Sequence, residues 1–132
     1  MHDRVLITIP SDIRYLESIL DIAEVFLKNN VGNEKIIGDL VASVSEATSN
    51  AILHGNSSPE SSVYVTMQKE TELIEIAVED CNPVYVNFLD TIGEPDMLAL
   101  SGRGLFIVRA YVDELLLKRG EHGNILILRK QV

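Results

Sequence analysis

The sequence predicts an α+β fold, a two-layer sandwich with helices on one face of a mixed, mostly antiparallel sheet. Three observations predict it. Apolar residues recur at helical spacing in two long stretches of the first half. Several later stretches alternate with the period of two expected of half-buried strands. Strands also follow one another in adjacent runs, where a parallel sheet would need a helix between each pair. The 132 residues fit one domain, 1–132, around a single core.

Taken in order, residues 5–9 read as a short apolar strand ended by Pro10, after which Ser11 or Asp12 offers a helix N-cap. Ile13, Leu16, Ile19, Leu20, Ala23, Phe26 and Leu27 share one stripe of a helix of about five turns. Residues 29–33 stop it, and Asn33 can cap the next. A second helix is expected over 34–54, with Ile36, Ile37, Leu40, Val41, Val44, Ala47, Ala51 and Ile52 inward. Gly55 closes it as a glycine that enters the left-handed region without strain. Residues 62–68 and 73–79 alternate, and the short link between them suits an antiparallel hairpin.

Residues 80–101 hold no sustained period and contain Pro83, Gly93 and Pro95, so 81–101 reads as a lid or binding loop. Gly102-Arg103-Gly104 opens a third helix over about 105–112, and 114–118 pairs with 124–130 as closing strands.

Composition excludes several classes. Lys+Arg number 11 against Asp+Glu 20, a net charge of −9, whereas a nucleic-acid binder needs a basic stripe. A hydrophobic fraction of 46% is too high for disorder. A single Cys excludes an internal disulfide framework and fits a reducing compartment. No apolar run approaches the roughly 18 residues of a membrane span, and the N-terminus lacks a signal-peptide layout. The expectation is a cytoplasmic protein, bound neither to nucleic acid nor to a membrane.

Three places can carry chemistry. Glu46 and Asn50 lie four apart on the second helix and share a face, among the polar Ser43, Thr48 and Ser49. A carboxylate there can act as a general base, and an amide oxygen can ligate Mg²⁺. By spacing alone the same pattern also describes a solvated helix face. Ser101-Gly102-Arg103-Gly104, ahead of a helix, combines close backbone approach, a helix N-terminus and a permanent cation, all suited to phosphate. An ordinary glycine turn reads the same way, and neither a Walker A nor a dinucleotide spacing is met. Asp80 ends a strongly apolar strand, where an acid can accept a hydrogen bond from a ligand amine or merely face water.

Together these features resemble the ATP-binding fold of the gyrase/Hsp90/histidine-kinase/MutL superfamily. More closely they resemble the bacterial anti-sigma-factor serine/threonine kinases. Residues 45–55, SEATSNAILHG, are similar to that family's N box, and 100–114, LSGRGLFIVRAYVDE, to its second glycine box. The resemblance implies the histidine-kinase-like ATPase fold, with 81–101 as the ATP lid and ATP and Mg²⁺ as cofactors. It implies Glu46 as the catalytic acid that orients or deprotonates the attacking group, and Asn50 as the Mg²⁺ ligand. It implies Asp80 as the partner of the adenine amino group. Asn82, Ser101, Gly102, Arg103, Gly104 and Leu105 complete the implied nucleotide contacts. The implied partners are a sigma factor, held inactive, and an anti-anti-sigma protein phosphorylated on Ser or Thr; a homodimer is implied as well.

One segment departs from the pattern. The family's first glycine box reads Asp-x-Gly-x-Gly, and here it is Asp80-Cys81-Asn82-Pro83-Val84. Asn82 tolerates left-handed angles, but a β-branched Val84 at positive φ would cost at least about 1–2 kcal/mol. The departure leaves open an alternative: a catalytically weak or inactive protein-binding module of the same fold, with weakened or lost nucleotide binding.

Overall fold

Adjacent alternating stretches pair as hairpins, and the sheet they build is antiparallel at every junction. The computed structural model describes residues 3–55, 58, 60–84 and 102–132. Its strands are β1 (Arg4–Pro10), β2 (Ser62–Glu70), β3 (Leu73–Glu79), β4 (Glu114–Arg119) and β5 (Asn124–Gln131), arranged β1-β2-β3-β5-β4. Its helices are α1 (Leu16–Asn30), α2 (Glu34–Asn50) and α3 (Gly102–Tyr111). The expected sandwich is therefore present, but no parallel pair occurs among the described strands. The final strand enters beside β3 in the antiparallel sense, so nothing requires a parallel crossover.

Register explains the core. Val65 faces Val78, which faces Leu126, and Met67 faces Ile76, which faces Leu128. All six are at most 6% exposed. Ile19, Ala23, Phe26 and Leu27 of α1 and Leu40, Val44 and Ala47 of α2 pack onto that face. Burial of this kind is the main favourable contribution to folding, at roughly 25 cal/mol per Å² of apolar surface.

Two helix starts are capped as the sequence expects. The Asp12 carboxylate accepts from the Arg14 N–H at 2.9 Å, and the Asn33 side chain accepts from the Ile36 N–H at 3.1 Å. The Asp12 cap opens a 3-10 turn, Ile13–Tyr15, ahead of α1, and Ile13 is left 46% exposed, off the predicted stripe.

The second helix differs more. It is α-helical to Asn50 and continues as a π turn, Ala51–Gly55. Ser43 and Thr48, expected on a polar face, are fully buried because α2 lies between α1 and α3 and is covered on both flanks. Ser43 is satisfied by donating to the Asp39 carbonyl at 2.8 Å, one turn back. The third helix starts at Gly102, earlier than expected. Residues 85–101, most of the expected lid, lie outside the described residues. Among the described residues, no helix is long and apolar enough to cross a membrane.

Candidate functional site

The π turn and the two flanking helices bring the sequence-predicted residues to one end of the molecule. Glu46 sits one turn before the end of α2 and half-buried. Its carboxylate lies directly against Gly104 in the first turn of α3, so close that a Cβ at position 104 would run into it. Contact between α2 and α3 thus sets the N-box acid against the second glycine box. Asn50 follows one helical turn later, and its Nδ2 is buried with no hydrogen-bond partner among the described residues. The Oγ1 of Thr48 is also buried and has no partner among them. Orphaned buried polar atoms are rare enough to need an explanation, and a ligand-binding role is one.

At the end of β3, Asp80 is 9% exposed. Its backbone N–H donates to the Asn124 carbonyl at 3.1 Å. Its Oδ1 accepts from the N–H of Asn82 at 3.0 Å and from the N–H of Asn124 at 2.9 Å. Its Oδ2 takes no hydrogen bond among the described residues and points toward Gly55, where a Cβ would collide with it. Gly123 walls the opposite side, against the Asp80 carbonyl and Oδ1. Burial pushes the Asp80 carboxyl above its ordinary value, an effect that the two N–H donors and the Arg119 charge oppose. The outcome is a buried acid with one saturated oxygen and one open oxygen. The solvated strand end that the sequence also allowed is not what forms.

Gly55 therefore serves a purpose other than the expected one. It is needed for close approach to a carboxylate, without a left-handed conformation. The altered glycine box is likewise unstrained. Among the described residues, the single non-glycine at positive φ is Thr71, at 57° in the β2–β3 hairpin. Asn82 and Val84 both keep ordinary angles. Asn82 Oδ1 accepts from the Val84 N–H at 3.0 Å, and Val84 is 59% exposed. The expected backbone penalty at Val84 does not arise.

The remaining predicted residues divide. Gly102 and Arg103 form the first positions of α3, whose N-terminus attracts anions. Ser101 lies outside the described residues. Leu105 is fully buried in the core, which leaves only its backbone for a ligand. Sequence reasoning missed Thr48, Gly55, Arg119, Gly123 and Asn124. The glycines between β4 and β5 were visible as a turn signal, but their proximity to Asp80 depends on the β3–β5 pairing, which no local pattern encodes.

A nucleotide fits these groups. The open Oδ2 can accept from an amine, and the start of α3 can meet phosphate. For a metal, no cluster of three or more His, Cys, Asp or Glu exists among the described residues. A lone amide oxygen at Asn50 suits Mg²⁺, which keeps several waters and takes other ligands from phosphates.

Residues 9–130 match the histidine kinase-like ATPase domain family, and the chain belongs to that family. Among solved structures it is similar to the RsbU and RsbW domains of Rv1364c from Mycobacterium tuberculosis, with a TM-score of 0.69 and 18% identity. That match covers 98% of this chain and 32% of the other, so the chain spans about a third of that protein. At this identity the likeness is one of fold. No curated protein matches the chain.

Proposed function

We propose that the chain is an anti-sigma regulatory serine/threonine kinase that binds ATP with Mg²⁺, sequesters a sigma factor and phosphorylates an anti-anti-sigma partner. The observation that carries this reading is the placement of the Glu46 carboxylate against Gly104, which joins the N-box acid to the glycine-opened helix. The similarity to a structure containing an RsbW domain supports it.

In this reading each residue does what its surroundings favour. Glu46 orients the hydroxyl of the partner's Ser or Thr and takes its proton. Asn50 offers its amide oxygen to Mg²⁺. Asp80 accepts from the 6-amino group of adenine through Oδ2, while its saturated Oδ1 keeps the carboxylate from turning. Backbone N–H groups at Gly102, Arg103 and Gly104, with Ser101 and Leu105 beside them, meet the phosphates, and Asn82 borders the base. Bound Mg²⁺ supplies charge neutralisation on the phosphates during transfer. The new phosphate adds close to two negative charges to the partner, which weakens its complex with an acidic chain. Residues 81–101 act as the lid. The protein is cytoplasmic and homodimeric. On the outer sheet face, Leu6 and Leu116 stay 61% and 37% exposed, apolar side chains that a second copy can cover.

Titration calorimetry with ATP and Mg²⁺ tests the core of the proposal, with Asn50→Ala as control. Binding by the wild type and its loss in the variant are expected, and no heat at millimolar ATP overturns the kinase reading. Transfer from labelled ATP to an anti-anti-sigma protein then tests the reaction. The missing glycines at Asn82 and Val84 favour a second reading, a binding module of the same fold with weak or no catalysis. The same titration separates the two.

A further inference from the structure

The segment after Asp80 lacks the glycines of its family's pattern, yet it follows an unstrained path, and side chains from two other strands hold it there. Asn124, the first residue of β5, is 5% exposed. Its Nδ2 donates to the Val84 carbonyl at 2.9 Å, and its Oδ1 accepts from Arg119 Nη1 at 3.3 Å. The same Arg119 Nη1, at the end of β4, donates to the Asn82 carbonyl. Arg119 and Asn124 therefore grip both ends of the Asn82–Val84 stretch and each other.

The grip bears on Asp80 through one donor. Which carboxylate oxygen stays open depends on which N–H groups reach the other. Asn124 N–H is fixed by the sheet. Asn82 N–H reaches Oδ1 only because the chain turns back immediately after Asp80. Freed from its tether, that turn has no glycine to predispose it, and the second donor to Oδ1 is lost.

We propose that Arg119 and Asn124 are positioning residues for base recognition: they hold the Asn82–Val84 turn so that Asp80 presents Oδ2 to a 6-aminopurine nucleotide. Side-chain hydrogen bonds from β4 and β5 here replace the conformational freedom of the two missing glycines. The inference rests on the nucleotide reading above.

The test compares the affinity of ATP with that of purine riboside triphosphate, which lacks the 6-amino group, each with Mg²⁺. The variants are Arg119→Ala, Arg119→Lys and Asn124→Ala, each first checked for a cooperative melt. Wild type is expected to favour ATP by about tenfold or more, the value of a hydrogen bond to a buried charge. Arg119→Ala and Asn124→Ala are expected to reduce that ratio to about threefold or less. Arg119→Lys, which keeps a donor, recovers part of it. A purely structural role lowers both affinities together and leaves the ratio unchanged, and that result in the folded Arg119→Ala protein overturns the inference. Wild type that binds neither nucleotide overturns the nucleotide reading and this inference with it. Wild type that discriminates alongside variants that do so equally overturns the positioning role alone. Arg119 is exposed, so its variants serve if Asn124→Ala does not fold.

Discussion

The two ends of the site are built in opposite ways. At the β3–β5 end, Asp80 is over-determined: two N–H donors fix one oxygen, two glycines approach it where a Cβ would collide, and neighbouring side chains pin the chain that follows. Glu79 reinforces the same junction, because its Oε2 accepts from the N–H of His122 at 2.6 Å and of Gly123 at 3.0 Å. At the α2–α3 end, Glu46 lies against the open backbone of Gly104, and Asn50 and Thr48 carry buried atoms with no hydrogen-bond partner among the described residues. The contrast fits what each end is asked to do. A group that reads the shape of a base must be set beforehand, since its reward is selectivity. A group that moves a proton or meets a metal must stay free to reach partners that arrive with the ligand. On the proposed function, preorganisation lies with the acid that would read the base and not with the pair that would serve the reaction.

Four substitutions break or sharpen the contrast. The largest effect is expected from Glu46→Ala, which should cut phosphoryl transfer by about 10²–10⁴ while ATP affinity and melting temperature stay near wild type. Labelled-phosphate transfer measured beside calorimetry checks this, and undiminished transfer removes the assigned base. Next, Asp80→Asn should weaken ATP by about ten- to a hundredfold, the range for a hydrogen bond to a charged group.

The same variant carries a pH signature. The folded carboxyl lies above its ordinary value of 3.8, so between these values the folded state binds the proton more tightly than the unfolded chain. Stability attributable to this group therefore rises as pH falls through that window. Asp80→Asn, which keeps an oxygen acceptor and removes the charge, should melt at or above the wild-type temperature at pH 7. Its advantage should shrink toward pH 4, as paired thermal melts would reveal.

Gly123→Ala comes third. Its Cβ meets the Asp80 backbone carbonyl, which cannot swing aside, so a loss of about 1–3 kcal/mol is expected. At this chain length that is about 4 °C of melting temperature per kcal/mol. Gly104→Ala should cost the least stability, because the atom it meets is the far end of a flexible Glu46 side chain. It should instead slow transfer several-fold by displacing that carboxylate. Calorimetric melts of the two alanine variants side by side, with the larger loss in Gly104→Ala, would reverse the contrast.

The helix stripes, the strand alternation and the three chemical positions were legible in the sequence because each depends on local periodicity or on a compact motif. Ile74, Ile76 and Val78 had to face one way once Leu73 to Glu79 alternated. Glu46 and Asn50 had to share a face once α2 formed. What was not legible depends on partners far along the chain. Thr48 is buried because α2 is packed on both flanks, by α1 and by α3 from far along the chain, and no i, i+4 rule anticipates that. The wholly antiparallel sheet depends on where β5 inserts. The strain expected at Val84 did not arise because the turn is organised by Asn82, Asn124 and Arg119, residues whose roles appear only when the strands meet.

The separation between Asp80 and its donor Asn124, 44 positions along the chain, has a further consequence for the order of events during synthesis. Closing so long a loop before any reward is gained is slow, and strands that pair across it form late. The Asp80 carboxylate gains its second N–H donor only when β5 docks beside β3. A chain in which β5 has not yet docked has the acid but not its setting, because the Asn124 contacts that fix it are missing.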